Sequence, residues 1–219
     1  MTSSCRVGAL LVLVCTSCKQ PVSGPEEVDY GLVRVLGAKQ RLTQGSVGTG
    51  RFESKASYLL VDAVNDAPEP LSVTLVGGLL DEKGNTVGTF APQSLVVPAK
   101  GVRMFALVDS EAIERPDAVK ATARVIGAAR LKHRQDVRVT DGSVRIDEGR
   151  AVVLGEVENT AERGANAVVI AGFYDANGRP MKRPSTLFEL APGGKRGVQF
   201  VGPPGSKSAY LYLGEVVFP

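Results

Sequence analysis

The chain has 219 residues, 43% of them hydrophobic, 22% charged and 5% aromatic, a composition that excludes global disorder. Its formal net charge of +3 gives no electrostatic footprint for nucleic acid. One histidine, no tryptophan and three cysteines, all before residue 20, remove most catalytic and metal constellations.

In chain order the first feature is a leader. Residues 1–17 place one cation, Arg6, before an apolar run from Val7 to Val14 and then small residues, the pattern of a secretory signal peptide. The run is about half of the roughly 20 residues a membrane-spanning helix needs, so no transmembrane helix is expected after cleavage. Cys15-Thr16-Ser17-Cys18 resembles the lipobox of bacterial lipoproteins, with Cys15 where that family favours Leu. The resemblance implies that Cys18 is acylated and becomes the new N-terminus. Bulky Leu13 and Val14 make Cys15 a poor acceptor. The alternative is an ordinary signal peptide with incidental cysteines. After cleavage before Cys18 that residue is the one cysteine left, so no disulfide and no thiol catalysis are expected. Residues 18–27 then read as the lipidated cysteine and a Pro-, Gly- and Ser-bearing tether. Lys19 rather than Asp after the cysteine resembles the sorting pattern that directs some lipoproteins to the outer membrane.

The remainder predicts strands. Leu71-Ser72-Val73-Thr74-Leu75-Val76 alternates with period two, and Asp81-Glu82-Lys83-Gly84 and Asp175-Ala176-Asn177-Gly178 are hairpin-turn sequences. A single offset carries Asn65 onto Asn159, and with it Tyr58–Ala67 onto Val152–Ala161, Gly78–Gly84 onto Gly172–Gly178, and Pro98 onto Pro192. One inserted residue then aligns Phe105 with Phe200. A repeat of this length is a domain. The chain is therefore expected to hold two β-sandwich domains, residues 28–130 and 131–219, joined near Ala128 to Gln135. Ser110 to Ala118 is the one segment that predicts a helical turn, limited by Pro116. Glycine-rich Gly45 to Gly50 reads as a loop between the first strands, since it lacks the Lys-Ser/Thr ending of a phosphate loop.

The second copy resembles the FxLYD family of immunoglobulin-like envelope modules. The motifs are Gly172-Phe173-Tyr174-Asp175, without the family's Leu between Phe and Tyr, together with Val157-Glu158-Asn159, Pro192-Gly193 and Phe200. The first copy resembles a related extracellular sandwich of bacterial lipoproteins, through Gly50-Arg51-Phe52, Tyr58 to Asn65 and Pro68-Glu69-Pro70. These resemblances imply an all-β fold of two tandem immunoglobulin-like antiparallel β-sandwiches after a lipoprotein signal peptide. They say little of function, because such sandwiches host unrelated roles.

Candidates for chemistry are few. His133 lies in a basic stretch without a nucleophile motif, and reads as a linker histidine. Asp81 and Asp175 read as turn formers, Asn65 and Asn159 as strand-end turn residues, and Phe105 and Phe200 as core anchors. No cofactor and no metal are expected. The distal copy carries a small excess of cations, and Arg179, Lys182, Arg183, Lys195 and Arg196 are candidate contacts to an anionic surface, set against the plainer reading of a solvated face. The expected protein is a non-catalytic envelope lipoprotein, a binding or scaffolding module anchored to the membrane and facing an envelope protein or anionic polymer. The alternative is an adhesion or assembly subunit that pairs through an edge strand. An enzyme of unknown type is third.

Overall fold

The computed structural model describes residues 30–48, 53–131, 135–140 and 142–219. The leader, Cys15, Cys18, the tether, Gly50-Arg51-Phe52, His133 and Asp141 lie outside the described residues. The described residues form sixteen strands in four antiparallel sheets of four, with two short 3-10 turns at Tyr30–Leu32 and Gly37–Lys39.

The first eight strands are β1 (Val33–Val35), β2 (Arg41–Val47), β3 (Ser54–Asn65), β4 (Leu71–Leu80), β5 (Thr86–Thr89), β6 (Gln93–Val97), β7 (Val102–Val108) and β8 (Lys120–Arg130). One sheet has β3 at its centre, with β1 and β2 sharing one edge and β7 on the other. Its partner has β4 at the centre, with β5 and β6 on one edge and β8 on the other. Alternate residues of both central strands, Leu59, Val61, Leu71, Val73 and Leu75, turn inward onto Phe105 and Leu107. Period-two alternation in the sequence is thus the inner face of a sandwich.

The second eight repeat this plan: β9 (Val137–Thr140), β10 (Val144–Asp147), β11 (Arg150–Asn159), β12 (Ala165–Tyr174), β13 (Pro180–Lys182), β14 (Ser185–Leu190), β15 (Lys195–Val201) and β16 (Ser208–Val217). β11 pairs with β9, β10 and β15, and β12 with β13, β14 and β16. The second core gathers Val153, Val157, Val169, Phe173, Phe200 and Leu211. The fold is the expected pair of tandem antiparallel sandwiches.

The repeated asparagines do identical work. Asn65 donates from Nδ2 to the carbonyls of Glu69 (2.8 Å) and Pro98 (3.1 Å) and accepts from Ala67 N (2.8 Å). Asn159 donates to Arg163 O (2.8 Å) and Ala191 O (3.1 Å) and accepts from Ala161 N (3.0 Å). Each ties the end of a strand to the distant turn of its own sandwich, satisfying buried backbone groups that would otherwise lose their water. The aspartates are turn formers as expected. Asp81 Oδ1 accepts from Lys83 N and Asn85 N, Asp175 Oδ1 from Asn177 N and Arg179 N, and Gly84 (φ 85°) and Gly178 (φ 67°) supply the left-handed residue.

Four sequence expectations are corrected. Residues 110–118 form no helix: Ser57 accepts from Arg115 N through Oγ (2.8 Å) and donates its own N–H to Ile113 O (2.9 Å), so the middle of the segment is bonded to β3, between tight turns closed by Ala112 N to Asp109 O and Ala118 N to Arg115 O. Buried Asp109 holds the same segment through Arg115 Nε (3.0 Å). Gly45, Ser46 and Val47 belong to β2, paired with Ala56, Lys55 and Ser54. The last strand of the first copy runs to Arg130, into the joint expected near Ala128 to Gln135, because β4 pairs along its whole length. The turn alignment also changes: Gly101 N donates to Pro98 O and Gly194 N to Ala191 O, so Pro98 corresponds to Ala191 and not to Pro192. Phe105 then sits opposite Val61 and Phe200 opposite Val153, the counterpart of Leu59, so the two phenylalanines occupy neighbouring layers of the repeat.

Candidate functional site

Two faces that a lone sandwich would leave wet are buried against each other. Outward-facing Leu60, Asp62 and Met104 of the first sandwich meet outward-facing Tyr174 of the second, and Ile170 and Tyr212 join the first core. Gly172 sits at the closest approach, where a Cβ would stand 3.2 Å from Met104 Cε and would require that side chain to shift.

The seam is pinned by polar bonds. Tyr174 Oη donates to Asp62 Oδ1 at 2.8 Å, with both residues at most 5% exposed. Burial pushes the Asp62 carboxyl above the usual carboxylate range, against the opposing pull of the Tyr174 hydroxyl and of Lys39. Burial, joined by the neighbouring Asp62 charge, pushes the Tyr174 phenol up. β7 is an edge strand, and its backbone groups are capped by side chains. Met104 O accepts from Tyr212 Oη (2.6 Å) and from Arg183 Nε (3.0 Å), while Ala106 N donates to Gln93 Oε1 (2.9 Å). Buried edge groups left bare would cost about 1–3 kcal/mol each. These caps also remove β7 from the edges open to pairing.

Beside the pins the seam opens into a groove of about 350 Å³. Its floor is the uncovered end of the first sandwich's outer face, with Tyr58, Leu60, Ala106 and Val108. Lys182, Arg183, Pro184 and Ser185 form the opposing wall, and Gln93, Ser46, Val47 and Gly48 complete the described lining.

The five basic candidates separate. Lys182 and Arg183 line this groove. Arg183 is half-buried and serves as a pin, stacked 5.8 Å from the Tyr212 ring. Arg179 is exposed at the end of the Asp175 hairpin, whose Gly178 lies beside Lys39 of the first sandwich. Lys195 and Arg196 stand exposed on β15, where Lys195 pairs with Glu156 (3.1 Å) and Glu158 (3.4 Å). Tyr58, Gln93, Asp62 and Tyr174 were missed as site residues. Tyr174 and Asp62 do occupy outward positions of their strands, and an apolar or aromatic outward neighbourhood was the available signal for a covered face.

No family model matches the chain, and no curated protein matches it. Among solved structures, the crystal structure of red sea bream transglutaminase is similar at a TM-score of 0.26 and 10% identity, over 79% of this chain and 29% of that one. The chain spans less than a third of that protein, and a likeness of this size carries no argument about function.

Proposed function

We propose that the protein is a non-catalytic, lipid-anchored module of a bacterial cell envelope, in which two immunoglobulin-like sandwiches, the second of FxLYD type, act as one binding or scaffolding body. The observation that carries this reading is the pinned seam. Tandem domains move relative to each other by default unless their interface is extensive and apolar. Here Leu60, Met104, Ile170 and Tyr212 bury the contact, and hydrogen bonds from Tyr174, Arg183 and Tyr212 to the first sandwich fix it. A body held this way presents a constant surface at the end of a tether. The leader with Cys18 supports the anchor, and Lys19 favours the outer membrane.

Growth with labelled palmitate tests the anchor. Label is expected in the wild-type chain in the outer-membrane fraction and absent after Cys18→Ala. Label that survives Cys18→Ala and disappears with Cys15→Ala overturns the choice of cysteine, and no label at all overturns the lipoprotein reading.

One observation favours an assembly role as the second reading. The edge strand β10 is exposed along all four residues, with Val144 44% and Ile146 50% accessible. An apolar, unpaired edge is a site for strand addition. A concentration-dependent increase in size on gel filtration, abolished by Ile146→Lys, would establish it.

A further inference from the structure

We infer that the seam groove is a binding site for an acidic saccharide, a sugar carrying a carboxylate or phosphate. This inference rests on the binding-module reading and names the ligand class that the module would take.

Among the described residues, the groove's lining holds two cations and no carboxylate. Elsewhere, Arg34, Arg115, Arg130, Arg138 and Lys195 are among the cations that each reach an acid, at 2.6–3.1 Å. Lys182 and Arg183 enter no ion pair among the described residues.

The donors are also held in place by the fold. Gln93 Oε1 is committed to Ala106 N, so the side chain is oriented and its Nε2 is left to donate. Arg183 Nε is committed to Met104 O and Tyr212 Oη, which leaves the two Nη groups to donate. Pre-oriented donors bind an anion at lower entropic cost than mobile side chains do. A guanidinium with free Nη groups beside an ammonium suits the oxygens of a carboxylate or phosphate.

The rest of the lining selects the body that carries the charge. Tyr58 offers an aromatic ring, whose negative π-face attracts the polarised C–H bonds of a sugar ring. Exposed Ser46 and Ser185 add hydroxyls at the rim, suited to a polyhydroxylated ligand. The volume of about 350 Å³ lies at the lower end of the range for small-molecule sites, the size of one or two sugar rings.

The test uses the full chain in nonionic detergent, with trigalacturonate, neutral maltotriose and inorganic phosphate as probes, followed by amide NMR and calorimetry. Trigalacturonate is expected to shift the resonances of Gln93, Ala106, Lys182 and Ser185, and to bind more weakly as salt rises. Lys182→Ala is expected to weaken it about tenfold, the loss of one charge-assisted bond. Gln93→Glu keeps an oxygen for Ala106 N but places a negative charge in the groove. It is expected to weaken binding about a hundredfold with the thermal midpoint unchanged. Equal binding of maltotriose, equal binding of phosphate, or unchanged affinity in both variants would overturn the inference. No trigalacturonate binding by a chain that does take up palmitate would overturn this inference and leave the anchored module standing. Binding by a chain that takes up no palmitate would keep the site and remove the anchor.

Discussion

Asp62 and Glu156 occupy the same position of the two repeats, each three residues before the turn asparagine and each facing outward. Their surroundings are opposite. Asp62 faces Met104 across the ladder and lies buried under Tyr174, with its carboxyl pushed upward by burial. Glu156 faces Gly197, where an added Cβ would meet nothing within 4 Å, and it holds Lys195 in a partly exposed ion pair. One topology therefore sets where a side chain stands, and the neighbour that docks on the sheet sets its chemistry. The two sandwiches also bury opposite sheets: the first covers the outer face of β3 and β7, the second that of β12 and β16.

The largest effects should come from the two cores. Phe105→Ala and Phe200→Ala are each expected to cost about 3–5 kcal/mol in urea unfolding. Phe105, fully buried, should cost the more, since Phe200 is 9% exposed near the sheet edge. A larger loss at Phe200 would break the layer assignment made from strand register.

Next comes the seam. Tyr174→Phe leaves Asp62 buried without its donor and is expected to cost about 1–3 kcal/mol. The pH dependence sharpens this. The folded carboxyl of Asp62 titrates above its unfolded value of about 3.9, so its contribution to stability is full below that pH and is lost as pH rises through the folded value. Asp62→Asn should remove this loss, so that the variant gains on the wild type in urea midpoints as pH rises above about 4. Asp66, Asp81, Asp175 and Glu158 have the opposite sign. Hydrogen bonds from Arg34, Asn85, the Arg179 backbone and Arg138 are the main causes that hold them below the usual range, so their contribution is lost as pH falls through it. A difference between wild type and Asp62→Asn that stays constant as pH rises above about 4 would show that Asp62 is not desolvated at the seam.

The smallest effect is expected at the counterpart. Glu156→Gln should change stability by less than about 0.5 kcal/mol, as for other exposed ion pairs. A loss as large as that of Tyr174→Phe would mean that the outer face around Gly197 is covered in solution.

Much of the fold was legible because the features that encode it are local. Period-two runs such as Leu71–Val76, the Asp-x-x-Gly hairpins and the two asparagines act through neighbouring residues, so their roles follow from chemistry and spacing alone. The errors came where a distant residue takes over a local group. Ser57 and Asp109 claim the backbone of residues 110–118 before a helical turn can, and strand pairing claims Gly45 to Val47. The candidate site was half legible. Lys182 and Arg183 stood out as cations, while Arg183 as a cap on Met104 O depends on a partner 79 residues away.

By itself, the sequence determined the all-β class, the duplication, the turns, the inward residues of each sheet and the expectation of an anchored leader, because each is carried by composition, period or short-range spacing. Tertiary structure alone decided which outer faces are buried, which carboxylate of an equivalent pair is desolvated, and which cations escape pairing with an acid. Those properties depend on how one sandwich docks on the other. Docking is a balance of apolar burial, close approach at Gly172 and hydrogen bonds across the seam, and no residue carries that balance alone.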